Sequence, residues 1–591
     1  MSETKKVKKS LFENLRCEEI GEILQFISYP SDIFSLIGTN KRFHQFFCSE
    51  EFYRVSCESV YSKCPHIIFK VRSSGKIVRN YFTHISLNWK DAEVISECKR
   101  LEHLDIGITD VITNNVELPE TVESLKLFQF RNDFGTSVLI ENRINIHDTN
   151  LTKLDFTGSF TNVSRLDFKL PKNLKELNFS NANISDYLLH SIPETIEILK
   201  MGRVRIDSPH IETLFDILNT LKKLKHLELT GYQFDADQIK YLSDKLPKCL
   251  TTLDLSMNNI GPDGIKHLSD KLPKCLTTLN LNSNNIGPAG IKYLSDKLPK
   301  CLTTLNLRNN NIDDNVAKYL IDKLPEGLKY LDLGFNDLKY FGDKWPRGLI
   351  TLELSNNNIR LDKENNIKLL SKLRSLNLSD NRIGNDGVKY LILPEGLKTL
   401  DLSGNHIEDN GVKDLILPEG LKTLDLNYNH ISYKIMSLKL PESLTELNIR
   451  YTHIYTLDHF ILPQGLLYLD LNGNNIGLSK LDDFKLPESL ITLNLSHNSI
   501  GDGFVYYLKL PQSLTTLDLS HNSIGDDGAN DLKIPESLRH LDLSFNNLFW
   551  PATILKLPLG LKSLNLRYND FYIRTKETLL REKFPYVKFT F

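Results

Sequence analysis

Five histidines, His406, His430, His453, His497 and His521, return at related positions around a recurring turn. Imidazole is the usual general base, but base catalysis needs a serine or cysteine nucleophile within hydrogen-bond reach. No such nucleophile is tied to these histidines by spacing, so they read as copies of a unit. Acidic groups recur as well. The ladder Asp254, Asn280, Asn306, Asp332, Glu353, Asn377, Asp401, Asp425, Asn448, Asp470, Asn494, Asp518, Asp542 and Asn565 is acidic at eight of its fourteen positions. One carboxylate per unit does not supply the roughly six to eight oxygens that calcium gathers. Of the eight cysteines, Cys17, Cys48, Cys57, Cys64 and Cys98 lack C-x-x-C spacing, which argues against zinc. Cys249, Cys275 and Cys301 recur every 26 residues in LPKCLTTL, in a slot that elsewhere holds Gly327, Ser443, Ser489 or Ser513. That slot reads as a column of small residues at a tight packing position, with disulfides between neighbouring units as the rival. No glycine-rich phosphate loop occurs. The pairs Gly261-x-x-Gly264 and Gly384-x-x-Gly387 are expected to serve the turn out of a strand. No enzyme, metal or cofactor is expected.

The unit that positions these groups is plain. LTTLDLSMNNI, Leu250 to Ile260, returns as LTTLNLNSNNI, LTTLNLRNNNI, LKTLDLSGNHI and so on to LKSLNLRYNDF, fourteen times in one register. Leucines two apart, such as Leu253 and Leu255, alternate with polar residues, which makes a strand with one buried face. The asparagines Asn258, Asn284, Asn310, Asn336, Asn357, Asn381, Asn405, Asn429, Asn474, Asn498, Asn522, Asn546 and Asn569 sit where the chain leaves the strand. An amide both donates and accepts, so a stacked ladder of them can satisfy backbone groups on adjacent turns. Thr452 replaces the asparagine once, and a softer turn is expected there. Ile265, Leu268 and Leu272 have helical spacing and predict an outer helix. A Leu-Pro or Ile-Pro pair, from Pro247 to Pro558, ends each outer segment and biases the chain to extended geometry.

The pattern L-x-x-L-x-L-x-x-N-x-I resembles the leucine-rich repeat. It implies an α/β solenoid, curved, with a parallel sheet on the concave side and short helices on the convex side. Strands pack about 4.8 Å apart and helices about 8–10 Å, so outer helices splay the stack. Periods of 26 residues before Asn336 shorten later, so early repeats should curve more. Degenerate repeats are expected over 101–247, regular ones over 248–570, and a capping segment over 571–591.

Upstream lie an expected disordered basic tail, 1–10, a helical module, 11–64, and a linker or cap, 65–100. The module holds EEIGEILQFI, DIFSLIGTNKRF and the pair Phe52-Tyr53. It resembles an F-box, with Arg16 where that family usually has proline. The resemblance implies docking on the Skp adaptor of a cullin-RING ubiquitin ligase. Leu15, Ile20, Ile23, Leu24, Ile33 and Leu36 would lie near that adaptor. The repeats would then select a protein substrate. The whole chain resembles the F-box and leucine-rich-repeat proteins of amoebae and their giant viruses. A helical cap on the first repeat, within a stand-alone binding scaffold, is the alternative.

Binding would use the outward strand residues. Arg308, Tyr330, Arg450, Tyr468, His540 and Arg567 break the small polar monotony, and tyrosine and arginine are frequent interface anchors. Phe335, Tyr428, Tyr451, Phe545 and Tyr568 stand just before the asparagine position. The acidic ladder favours a basic protein partner over nucleic acid, with a merely solvated sheet as the alternative. Net charge is -2, which gives no reason to expect nucleic acid. No stretch approaches about 18 uninterrupted apolar residues, so no membrane span is expected. With no secretory signal evident, the expected location is intracellular, in the cytoplasm, and that of a host cell for a viral protein.

Overall fold

The computed structural model describes residues 84–88, 103–108, 118, 120–129, 149–156 and 169–591, apart from 205–207, 341–343, 365–366, 369–370, 479–483, 550–554, 570–577 and 579. The tail, the module at 11–64 and its six docking side chains lie outside the described residues. The chain divides into two units, Met1–Asn258 with Lys271–Leu276, and Asn259–Asp270 with Thr277–Phe591.

In the first unit the strands β1 (His84–Asn88), β2 (His103–Ile108), β3 (Ser124–Gln129), β4 (Lys153–Asp155), β5 (Glu176–Asn178), β6 (Ile198–Lys200), β7 (His226–Glu228) and β8 (Thr252–Asp254) pair in parallel in chain order. One leucine column, Leu154, Leu177, Leu199, Leu227 and Leu253, is aligned across five of them and fully buried. The sheet starts inside the stretch read as linker, because HISLN carries the same alternation as the repeats. Its helices are α1 (Asp186–His190), α2 (Ser208–Thr220) and α3 (Ala236–Lys245). A capping box opens α3: the Asp235 carboxylate accepts from the Gln238 N–H at 2.8 Å, and the Gln238 side chain accepts from the Asp235 N–H at 3.0 Å. Ile239 and Leu242 bury its inner face, and Pro247 bars its continuation.

The helix α4 (Gly261–Lys271) follows β8 in the chain and buries Ile265 and Leu268. Leu272, expected as its third contact, falls past the helix end and is half-buried. Gly261 opens α4 at φ +65, as a turn residue should. Gly264 and Gly387 are instead buried inside their helices. A Cβ at Gly387 would stand 3.0 Å from Ile383, so that glycine serves close packing and not the turn.

In the second unit the strands β9 (Thr278–Asn280), β10 (Thr304–Asn306), β11 (Tyr330–Asp332), β12 (Thr351–Glu353), β14 (Ser375–Asn377), β16 (Thr399–Asp401), β17 (Thr423–Asp425), β18 (Glu446–Asn448), β19 (Tyr468–Asp470), β20 (Thr492–Asn494), β21 (Thr516–Asp518), β22 (His540–Asp542), β23 (Ser563–Asn565) and β24 (Lys588–Thr590) form consecutive parallel pairs. The remaining two, β13 (Ile367–Lys368) and β15 (Leu391–Ile392), pair separately with each other. Each register sets leucine against leucine, until Phe589 meets Leu564 in the last pair.

Outer segments shrink with the period. α5 (Gly287–Lys297) has 11 residues and α6 (Asp314–Ile321) has 8. α7 (Gly384–Val388) has 5, α8 (Asp409–Val412) has 4, and α9 (Asp502–Tyr507) and α10 (Asp526–Asp531) have 6 each. At each proline mark the chain reverses through one backbone bond. The leucine N–H three residues on donates to the proline carbonyl, as from Leu328 to Pro325 at 3.0 Å and from Leu397 to Pro394 at 3.0 Å.

Behind the strands runs the asparagine column. Asn429 Nδ2 donates to Leu402 O of the preceding turn at 3.0 Å and to Leu426 O of its own turn at 2.9 Å. Its Oδ1 accepts from the N–H groups of Asn405, 3.1 Å, and Ile407, 2.9 Å. Asn405 and Asn381 repeat the two donations. Every lone pair and proton of the amide is engaged in the dry interior, where an unmade bond is costly. Thr452 is also fully buried. Its hydroxyl donates to Ile449 O at 2.8 Å within its own turn. The bond to the preceding turn, which would reach Leu426 O, has no counterpart among the described residues.

Candidate functional site: the outward sheet face

Each strand turns its second polar residue outward, and that residue ends the strand. Asp401 Oδ1 accepts from Ser403 N–H at 2.9 Å, Asp425 from Asn427 at 2.9 Å, Asp470 from Asn472 at 2.9 Å, Asp518 from Ser520 at 2.9 Å and Asp542 from Ser544 at 2.9 Å. Asn306, Asn377 and Asn494 do the same with Arg308, Ser379 and Ser496. This is an Asx turn, which needs one acceptor oxygen two residues ahead of an N–H. Carboxylate and amide serve it equally. The turn itself therefore leaves the charge variable, although Asp425 Oδ2 also accepts from Asn427 Nδ2 at 3.0 Å and Asn448 Nδ2 at 3.2 Å, and Asp542 Oδ2 from Asn565 Nδ2 at 2.8 Å.

That charge is held at a cost. Burial, joined by the neighbouring carboxylates Asp401 and Asp470, pushes Asp425 up to about 6. Burial likewise raises Asp332, Glu353, Asp401, Asp470 and Asp518 above the ordinary carboxylate range, and Asp542 adds to the rise at Asp518.

The six expected contact residues fall into three places. Arg308 reaches over Gly334, where a Cβ would stand 2.7 Å from its guanidinium, to Ser355 Oγ at 3.1 Å on the second strand along. Its guanidinium lies 4.0 Å from the Phe335 ring centroid. Tyr330, beside it, is half-buried, and burial with Asp332 raises its hydroxyl to about 12. Arg450 and Tyr468 make a second group around Asp470. Arg450 Nε lies 3.7 Å from Asp470 Oδ2, and Tyr468 donates to the same oxygen at 3.2 Å. His540 bonds Ser563 Oγ through Nδ1 at 2.8 Å. Arg567 is exposed beside Tyr568 and closes its own Asx turn with Asn565 at 3.2 Å. Each pair is assembled by adjacent turns, and the three groups sit on different strands.

The residues just before the asparagine column form a rail of rings. His497 stacks on His521 at 3.9 Å, His521 on Phe545 at 3.8 Å and Phe545 on Tyr568 at 4.2 Å. Tyr428 stacks on Tyr451 at 5.2 Å, and the Tyr451 ring covers Gly473, where a Cβ would collide with it. All six side chains stand on left-handed backbone, φ between 50 and 56. That conformation is costly for L-residues, and Gly404 and Gly473 take it in the same slot at φ 60 and 69. The histidines thus divide between two columns. His497 and His521 belong to the rail, while His430 and His453 stack at 4.8 Å after the asparagine position.

One column was misread from sequence. The slot of Cys249, Cys275 and Ser443 is a hydrogen-bonding slot and not a tight packing one. Cys249 Sγ donates to Lys222 O at 3.0 Å and Leu224 O at 3.1 Å. Ser443 donates to Glu419 O and Leu421 O, and Ser489 to Gln464 O and Leu466 O. Cys249, Cys275 and Cys301 are free thiols. At two of the glycines that fill the slot, Gly396 and Gly560, the guanidinium of Arg374 or Arg539 from the preceding turn lies over it, whereas Gly327 faces open space and Gly348 the Glu326 carbonyl. The signal was a basic residue about 22 positions ahead of such a glycine.

Among the described residues no cluster of three or more His, Cys, Asp or Glu could hold a metal, and no helix is long and apolar enough to cross a membrane. A face of fixed acceptors, half-buried carboxylates and stacked rings can bind.

The leucine-rich repeat family model matches residues 247–269, 273–295, 299–320, 370–391, 397–415, 487–503, 511–532 and 535–548. No curated protein matches the chain. Among solved structures, the TLR13–ssRNA13 complex is 19% identical over 87% of this chain and 85% of that one, with TM-score 0.45. YopM from Yersinia enterocolitica is 21% identical over 87% and 92%, with TM-score 0.33. A leucine-rich-repeat protein of Leptospira interrogans is 22% identical over 71% and 95%, with TM-score 0.40. On the family match and the parallel, leucine-registered strands, the repeated units of this chain are leucine-rich repeats.

Proposed function

We propose that this protein is a binding scaffold whose outward sheet face in the second unit takes a protein partner, and which presents that partner to a Skp-type adaptor of a ubiquitin ligase through residues 11–64. One observation carries the binding half. Fourteen strands from β9 to β24 hold their outward side chains in one register, and that face combines half-buried carboxylates with arginine, tyrosine and a rail of rings. The ligase half rests on the F-box resemblance of EEIGEILQFI and DIFSLIGTNKRF. Half-buried carboxylates suit a basic protein better than a polyphosphate.

Two experiments separate the halves. A photo-crosslinking residue at Ser403, on the face, should capture protein partners, whereas one at Lys413, which caps α8 on the other side, should not. Capture from Lys413 alone would overturn the binding half. Co-purification with a Skp-type adaptor should be lost when residues 11–64 are deleted, and adaptor binding that survives deletion would overturn the ligase half.

A further inference from the structure

The outward column poses a question that the scaffold reading leaves open: why charge stands where the turn needs only one acceptor oxygen. Asn377, Asn448 and Asn494 occupy the column without charge, and Asn377 and Asn494 close the same turn as the aspartates do. The aspartates do so while partly desolvated. A charge retained against desolvation, with an isosteric neutral residue acceptable in the same slot, points to an opposite charge arriving from outside.

The column is not uniform. Two pairs of aspartates lie on adjacent strands in direct register, Asp401 with Asp425 and Asp518 with Asp542. Among the described residues no lysine or arginine comes within ion-pair distance of any of the four. Between the pairs Asp470 has its own cation, Arg450, at 3.7 Å. Tyr428, Tyr451, Phe545 and Tyr568 flank the pairs, all exposed. Stacked ring edges beside carboxylates suit the aliphatic stem and charged head of lysine or arginine.

From this we infer that the face seats an extended, basic protein segment carrying two cationic clusters, one over Asp401 and Asp425 and one over Asp518 and Asp542, with a neutral or acidic stretch facing Arg450. Five strand steps separate the centres of the two pairs. At about 4.8 Å per step that is roughly 24 Å, or about seven residues of extended chain. The inference rests on the scaffold reading and adds the partner's chemistry and spacing. Nucleic acid would instead set its phosphates against four carboxylates.

The test uses the full chain and fluorescence anisotropy. The probe is a synthetic peptide with two Lys-Arg pairs seven residues apart, joined by serine, glycine and threonine. Controls are the same composition with the pairs adjacent, a glutamate counterpart, and a twelve-nucleotide single-stranded RNA. The spaced peptide should bind at least tenfold tighter than each control, and more weakly as salt rises. Asp401→Asn with Asp425→Asn, and separately Asp518→Asn with Asp542→Asn, should each weaken it tenfold or more. These variants keep the turn acceptor while altering the bonds from Asn448 to Asp425 and from Asn565 to Asp542, and circular dichroism checks that they fold. Unchanged binding by the folded variants, no preference for spacing, or tighter binding of RNA or the glutamate peptide would overturn the inference. Crosslinking from Ser403 that persists beside such a result would leave the scaffold reading standing and remove only the basic segment.

Discussion

Two columns of the second unit use the same short polar side chains to opposite ends. The buried column holds Asn381, Asn405, Asn429, Asn474, Asn498, Asn522 and Asn546, almost unexposed, and no aspartate enters it. Each amide donates twice to carbonyls, and Asn381, Asn429, Asn474, Asn522 and Asn546 are also seen accepting from backbone N–H groups. The outward column is asked only to accept, once for the turn and, at Asp425 and Asp542, again from the next strand, and there Asp and Asn interchange from turn to turn. Donor demand is the difference. Where both roles are required the sequence is fixed, and where only acceptance is required the charge is released for other use.

Forcing a charge into the buried column is the harshest way to break this comparison. Asn405→Asp removes two donors, to Leu378 O at 2.8 Å and Leu402 O at 3.1 Å, and sets a carboxylate against both carbonyls. The expected cost is about 3–5 kcal/mol, seen as an earlier first transition in urea. A shift no larger than that of a surface variant would mean the donors are dispensable.

The reverse exchange outside should stabilise. Because Asp425 is raised to about 6 in the fold, the folded chain binds its proton more tightly than the unfolded chain does. Its carboxylate therefore costs stability in full above pH ~6, and the cost fades as pH falls toward ~4. Asp425→Asn should gain about 1–3 kcal/mol at pH 7.5 and almost nothing at pH 4. A loss at pH 7.5 would show that the charge supports the turn.

A smaller gain is expected from Thr452→Asn, which restores the missing donor to Leu426 O. About 0.5–1.5 kcal/mol should follow, read as slower amide exchange in that turn. No slowing would mean that the single bond from Asn429 Nδ2, 2.9 Å, is enough for that carbonyl. Smallest of all is Cys275→Ser. Serine already fills the same slot at Ser443 and Ser489, so the change should stay within about 0.5 kcal/mol. A larger loss would restore the packing reading.

The leucine period, the strand alternation and the asparagine column were legible because each is a side-chain pattern repeated in one register. Arg308, Tyr330, Arg450 and Tyr468, the contact candidates, stand out in the sequence as departures from that pattern. Their grouping was not, because Arg308 crosses Gly334 to reach the second strand along, and sequence does not show reach. The Asx turns could have been found from the Asp/Asn exchange followed two residues on by Ser, Asn or Gly. The cysteine slot misled because Cys, Ser and Gly share small size, whereas Cys249, Ser443 and Ser489 there donate to carbonyls of the preceding turn. The start of the sheet was missed because Lys90 stands where later turns carry their asparagine.

The claim that the outward charge is surplus to the fold is tested most directly by thermal unfolding of the full chain and its Asp401→Asn/Asp425→Asn variant from pH 4.5 to 8. The account predicts that the wild-type midpoint falls as pH rises through about 6, that the variant's curve is flatter, and that the variant is the more stable at pH 8. A variant that unfolds at lower temperature throughout, or one that keeps the wild-type slope, would contradict it.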